Sequence, residues 1–366
     1  MPTPSPLDAL HRADDARVAP FAGYAMPIQY PNGIVQEHLH TRQHASLFDI
    51  SHMGQILIRD CYELESHTPA DLQELPQGRQ LYTQLLNRQA GIVDDLMITR
   101  EPDNQWWLVV NAARKAMVLR LLADAVVLDT FTNQALLALQ GPQAASVMAQ
   151  VFDRTIAQQP FLSQRQSTWQ GIPCRINRCG YTGEDGFEIS LAADAAEDFA
   201  RTLLNFDPVA WAGLGARDSL RLEAGFCLYG NDIDETTTPI EAGLGWSIGK
   251  RRRQQGMFSG DTIIQQQLQQ GVARERIGIQ LKGRQPARAG TEIRDRDGTV
   301  VGKVNSGGFS PTLGYPIAMG YVQNAAAVID TPLTLMVRDK PLPATVVSMP
   351  FVPRRYFRSV TQEKLK

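Results

Sequence analysis

Apolar and polar positions follow different rhythms in different parts of the chain. In the first hundred residues strand and helix signals are mixed. Ser46–Leu57 (SLFDISHMGQIL) is rich in strand formers, Gly91–Thr99 (GIVDDLMIT) sets two aspartates between apolar runs, and Gln105–Asn111 (QWWLVVN) is a further strand candidate. Ala112–Ala125 then carries apolar residues at helical spacing. This order predicts a layered α+β or α/β domain. Leu136–Gln150 reads as a strand, a Gly-Pro turn and a helix, with Pro142 near the first helical turn, where its missing N–H costs nothing. Ile176–Leu191 reads as two strands around a Gly-Glu-Asp-Gly turn, and Ala212–Leu222 as a helix ended by Gly225. Beyond about residue 275 short strands recur between Gly, Pro and Asp turns: Arg276–Leu281, Thr299–Ser306, Ala318–Val322, Leu333–Val337 and Ala344–Ser348. That spacing predicts a small β-barrel or sandwich as a separate C-terminal domain.

The length of 366 residues suggests two or three domains, and 43% apolar with 20% charged residues is a globular composition. A net charge of −2 gives no general basic excess, so nucleic acid is not an expected partner. The charge is uneven. From residue 250 onward there are 19 Lys and Arg against 8 Asp and Glu, and before it 17 against 30. Either this is ordinary surface variation or the C-terminal part faces an acidic ligand or partner. Lys250–Gln270 holds a basic run and then a Gln-rich stretch, expected to be a solvated helix and loop.

Cys61, Cys174, Cys179 and Cys227 form no C-x-x-C pair and have no ligand-spaced His, which argues against structural zinc and for reduced thiols in a reducing compartment. The N-terminal residues carry neither a secretory nor an Arg-rich amphipathic pattern. No apolar run of about 18 residues exists, so no membrane span is expected. Together these features predict a cytoplasmic location. His40 and His44 stand i,i+4 without an H-E-x-x-H pattern or an obvious third ligand, so no metal is expected. His52 is expected to be a strand-end residue satisfied by hydrogen bonds. The chain has no G-x-G-x-x-G after a first strand, no G-x-x-x-x-G-K-[ST] and no G-x-S-x-G elbow.

Candidate chemistry lies in carboxylates and arginines. In a strand, Asp94 and Asp95 point to opposite faces, so only one can face a given pocket. The pair is either a solvated strand end or includes one carboxylate that holds or deprotonates a ligand amine. Within Tyr181–Glu188 (YTGEDGFE), Glu184 and Asp185 read as solvated turn formers. Glu188 lies between Phe187 and Ile189 and points away from the apolar face. It is an exposed strand residue or a two-oxygen acceptor for a flat N–H/NH₂ edge. Arg217 and Arg221 share one helix face with Asp218 and Glu223 nearby, as a surface ion-pair helix or with Arg217 as a forked donor to a ligand.

FAGYAMPIQY (21–30), LFDISHMGQ (47–55), GIVDDL (91–96), LALQGP (137–142), RCGYTGEDGFEIS (178–190), the long block ARDSLRLEAGFCLYGNDIDETTTPIEAGLGWSIGKRRR (216–253), AMGYV (318–322) and MPFVP (349–353) resemble, in order, the aminomethyltransferase (T-protein) family of the glycine cleavage system. The resemblance runs from about residue 15 to 357. It implies an α+β, three-domain cloverleaf around a central folate cavity. Residues 1–50 plus 135–270 would form a discontinuous α/β folate-binding domain, 51–134 an inserted α/β domain, and 271–366 a C-terminal β-barrel or jelly-roll-like domain. It implies transfer of a one-carbon unit from the aminomethyl-dihydrolipoyl arm of the H-protein to tetrahydrofolate, giving 5,10-methylenetetrahydrofolate, ammonia and the reduced arm, with no metal. By motif, Asp95 matches the catalytic carboxylate, Glu188 the acid that binds the pterin edge, Arg217 a ligand-binding arginine and Tyr356 a further ligand contact. Asn111, Met53 and Tyr181 fall in motifs lining the folate cavity. The basic run Lys250–Arg253 is a candidate dock for an acidic H-protein. Tyr24 stands where the family often has Trp, and His38–His44 is unusually His-rich. A folate-dependent demethylase on the same scaffold and a non-catalytic folate-binding iron–sulfur assembly factor are the rival readings. Against the second, GLGWSIGK (243–250) contains no cysteine in place of a K-G-C-Y-x-G-Q-type motif.

Overall fold

The computed structural model describes residues 1–358. Its centre is a six-stranded sheet gathered from distant stretches, in the spatial order Ser163–Trp169, Ile172–Arg178, Gly186–Ala192, Gln134–Gln140, Ala45–Asp49 and Val209–Trp211. All neighbours are antiparallel except the last pair. One face alternates apolar side chains, including Leu47, Leu137, Leu139, Ile176, Phe187 and Ile189. The helices Ala144–Val151 and Ala196–Leu204 cover that face.

A second sheet has five strands in the order Gln80–Leu86, Ile92–Arg100, Gln105–Val110, Gly54–Arg59 and Val126–Asp129. The two sheets meet through Phe48, Leu136 and Ala138 on one side and Leu57, Trp107 and Val109 on the other. Helix Leu214–Glu223 adds Ala216 and Leu220 to this contact. Burying these side chains is the term that holds the sheets together, at roughly 25 cal/mol per Å² of apolar surface.

The C-terminal part is a closed barrel of Arg274–Leu281, Pro316–Gln323, Val300–Phe309, Glu292–Arg294, Pro332–Val337 and Lys340–Val347. Five of these are the strands expected from the turn spacing. The sixth, Glu292–Arg294, spans three residues, too short to show an alternation of its own. The barrel rests on the helix Leu214–Glu223, where Leu222 packs on Ile317 and Met319.

Several local expectations are corrected. Ser46–Leu57 is two strands, because Asp49 Oδ1 accepts the Ser51 amide at 2.8 Å and Met53 donates to Ile50 O at 3.0 Å, closing a turn. The helix expected over Ala112–Ala125 is confined to a 3₁₀ turn at Ala112–Arg114 and Lys115–Leu121. The helix after Gly141 begins at Ala144, which leaves Pro142 just before its first turn, as expected.

Glu184 and Asp185 are not solvated turn residues. Glu184 is fully buried and accepts from Arg42 Nη1 at 2.8 Å and from Arg355 Nη2 at 2.6 Å. Asp185 pairs with the buried Arg178 at 2.5 Å. The expected surface ion-pair helix is likewise largely interior: Arg221 is buried and bonded to Asp232 at 2.7 Å. Glu223 takes Arg42 Nη2 at 2.8 Å and His38 Nε2 at 3.1 Å. It also accepts the Ser310 hydroxyl and the Thr312 hydroxyl of the barrel. This network of named donors holds the Glu223 carboxyl down at about 2 despite its burial. It ties the first third of the chain, the 178–186 hairpin, the barrel and the C-terminal stretch to one another.

Candidate functional site

Asp95 lies in the strand Ile92–Arg100, with its side chain on the face opposite to that of Asp94. Each of its oxygens is held by a neutral donor. Asn111 Nδ2 reaches Oδ1 at 2.7 Å, and the Tyr82 hydroxyl reaches Oδ2 at 3.0 Å. Desolvation outweighs both bonds and pushes the Asp95 carboxyl up to about 6. Asp94 is fully buried and accepts Asn111 Nδ2 at 2.8 Å and the Asn111 amide at 3.2 Å. Burial, with Asp95 beside it, pushes its carboxyl well above the ordinary range. Asn111, immediately after the strand Gln105–Val110, therefore organises both acids.

Glu188 is 6% exposed on the sheet face that looks toward the helix Leu214–Glu223. Arg217 Nη2 stands 4.0 Å from Glu188 Oε1, an ion pair without a close hydrogen bond. Burial raises the Glu188 carboxyl, and Arg217 and the Cys179 thiol pull in the other direction. Burial also lowers the Arg217 guanidinium. Its Nη1 is buried with no hydrogen-bond partner. The guanidinium lies 5.0 Å over the Tyr181 ring, which stacks on Phe226 at 5.7 Å. Tyr181 donates its hydroxyl to Cys227 O and feels the charges of both Asp95 and Arg217. Tyr181 thus packs under the Arg217 guanidinium and lies within electrostatic reach of Asp95.

Met53 is half-buried against the cluster that joins the two sheets. Tyr356 stacks on Phe161 at 4.1 Å, and burial raises its hydroxyl against the opposing pull of the Arg354 guanidinium. Among the described residues it has no hydrogen bond to Asp95, Glu188 or Arg217.

Sequence reasoning missed Tyr82, Cys179 and Trp246. Tyr82 lies on the strand paired with Asp95, two residues from Gln84, the direct cross-strand neighbour of Asp95. Only a known register would have shown this. Trp246 is 63% exposed and stacks on Tyr82 at 5.7 Å.

Two expectations fail here. His52 is buried with Nδ1 unpartnered, not satisfied by hydrogen bonds. Its ring edge meets Phe21 at 5.4 Å, and desolvation lowers it to about 4. The basic run is not a free solvated surface either. Arg251 pairs with Glu65 at 2.7 Å and Asp71 at 2.8 Å, and Arg252 is buried against carbonyl oxygens of Glu65 and Met257. Only Lys250 and Arg253 of the run are exposed. His40 and His44 have rings 4.9 Å apart, and His40 Nε2 faces the carbonyls of Ala45 and Pro208. Among the described residues no helix is long and apolar enough to cross a membrane.

Residues 7–252 match the family described as the GCVT N-terminal domain, and residues 274–353 match the glycine cleavage T-protein C-terminal barrel domain. This chain belongs to the glycine cleavage T-protein family of aminomethyltransferases.

The mitochondrial aminomethyltransferase of Gallus gallus is 46% identical over 96% of this chain and 93% of its own. The probable mitochondrial aminomethyltransferase of Schizosaccharomyces pombe is 42% identical over 97% and 94%. The crystal structure of the glycine cleavage system aminomethyltransferase T from Bartonella henselae superposes with a TM-score of 0.92 at 41% identity, covering 98% of this chain and 100% of that one. The α+β fold with its C-terminal barrel is therefore as expected. The cytoplasmic expectation is overturned, since the relatives from chicken, fission yeast and Dictyostelium discoideum are named mitochondrial. Unpaired cysteines argue only for a reducing compartment, and they do not distinguish one such compartment from another.

Proposed function

We propose that Asp95, Glu188 and Arg217 are the working groups of this aminomethyltransferase, with Asn111, Tyr181, Met53 and Tyr356 lining the same folate site. The observation that carries the reading is the buried Glu188–Arg217 couple, 4.0 Å apart and packed over Tyr181, with one guanidinium nitrogen left unpartnered. Glu188 presents two acceptor oxygens to a donor–donor edge, which matches an amino-pyrimidine ring. Arg217, 4.0 Å from Glu188 with Nη1 unpartnered, keeps a forked donor free for a ligand oxygen. Bound tetrahydrofolate would supply the ring amine that accepts the one-carbon unit.

Asp95 positions and activates. Its carboxylate, desolvated and fixed on both oxygens, stabilises positive charge that develops beside it. A carboxyl near 6 also takes up and returns a proton at neutral pH. Tyr82 and Asn111 hold the group in one orientation, and Asn111 binds the Asp94 carboxyl with the same amide.

The donor is the aminomethyl-dihydrolipoyl arm of the lipoylated H-protein, and the products are 5,10-methylenetetrahydrofolate, ammonia and the reduced arm. Residues 1–50 plus 135–270, 51–134 and 271–366 are the proposed domains. Support comes from the central sheet, which uses strands on both sides of the 54–129 stretch. Reconstitution with lipoylated H-protein carrying a labelled aminomethyl group tests the assignment. Ammonia release that depends on tetrahydrofolate is expected. Release at the same rate without folate would overturn it.

A further inference from the structure

Four residues stand in line with Glu188 across the central sheet. The register runs Phe48 to Ala138, Ala138 to Glu188, Glu188 to Asn177, and Asn177 to Gln164. Directly paired residues project to the same face. The row is therefore apolar at Phe48 and Ala138 and polar at Glu188, Asn177 and Gln164.

The polar half is unsatisfied. Asn177 is fully buried, and neither its Nδ2 nor its Oδ1 has a hydrogen-bond partner. Gln164 Nε2 next to it is buried and unpartnered too. Arg217 Nη1, on the guanidinium loosely paired with Glu188, is the third orphaned donor group. Buried polar side chains are satisfied in the large majority of cases, and each that is not costs about 1–3 kcal/mol. Orphans gathered around one buried carboxylate indicate a seat whose polar partners arrive with a ligand.

We propose that Asn177 is a further ligand contact and a specificity-determining residue, an inference that rests on the folate reading of Glu188. The seat is built for a flat heterocycle whose edge carries N–H donors beside a ring carbonyl. Glu188 takes the donors. Asn177 Nδ2, one strand away, donates to the neighbouring carbonyl oxygen. The residue thereby favours a pterin with a hydrogen-bonding group at that position over its 4-unsubstituted analogue, which offers the amide no partner there.

The test is equilibrium binding of tetrahydrofolate and of its analogue unsubstituted at position 4 to the full-length wild-type protein, to Asn177→Ala and to Asn177→Ser, each checked for folding by thermal melting. The expected result is a loss of about tenfold or more in tetrahydrofolate affinity in both variants. The analogue should bind about as before, so that the preference between the two ligands shrinks. Asn177→Ser covers the case in which alanine impairs folding. Folded variants that bind tetrahydrofolate like the wild type, or that weaken for both ligands equally, would overturn the proposal. Failure of the wild-type protein to bind tetrahydrofolate would instead sink the folate reading itself.

Discussion

The side-chain amide of Asn111 reaches Asp94 at 2.8 Å and Asp95 at 2.7 Å, although the two acids point to opposite faces of one strand. One residue at the end of the adjacent strand thus fixes both carboxylates. In the proposed function Asp94 is the structural half of the pair and Asp95 the half that faces the site.

Replacing Asp95 by Asn removes the charge and keeps the shape. Turnover should fall on the order of 100-fold or more. Tetrahydrofolate binding should be largely retained. Steady-state rates beside a direct binding measurement decide this, and normal turnover with folate bound would contradict the role.

The Asp95 carboxyl is raised to about 6, so its charged form is lost as pH falls through that value. Activity that needs the carboxylate should decline on the acid side of about 6 and level off above it. Tyr82 donates to Asp95 and lowers its pKa. Tyr82→Phe should therefore move the acid limb of the pH–rate profile to higher pH. An unmoved limb would show that Asp95 does not set it.

Asp94 is raised above its ordinary value in the folded state, the reverse of a salt-bridged acid. The folded protein then holds this proton more tightly than the unfolded chain. The resulting penalty is absent below about 3.9 and grows as pH rises toward the folded value. Relative to Asp94→Asn, the native protein should lose stability between pH 4 and pH 8. Denaturant melts of both proteins at the two pH values read this directly.

Arg42 is 6% exposed and satisfies Glu184 and Glu223 together. Arg42→Met leaves buried Glu223 without its guanidinium and Glu184 with Arg355 alone, and about 3–5 kcal/mol of stability should be lost. Equilibrium unfolding in urea would measure it.

The strands at Gly91–Thr99 and Gln105–Asn111, the hairpin around Glu184 and the barrel were legible because their apolar alternation is carried by neighbouring residues. Asp95, Glu188 and Arg217 were legible as chemistry through motif, but their relation was not. It depends on which strands lie side by side, and Tyr82, Asn177 and Gln164 owe their places to register alone. The 184–185 turn and Arg221 were misread because buried charge is recognisable only once its partners are placed. For Glu184 those partners lie some 140 and 170 positions away in the chain. His52 was misread for the same reason, since its environment of Phe21, Lys115 and Arg217 comes from three separate segments.

The central sheet closes only when Val209–Trp211 pairs with Ala45–Asp49, about 160 residues earlier. During synthesis at about 5–20 residues per second, the early strand must wait on the order of ten seconds or longer for its last neighbour. A ribosome-bound intermediate would meanwhile carry an apolar ribbon, Ala45–Asp49, with an unpaired edge. Biogenesis, more than the finished enzyme, is where this architecture invites chaperones.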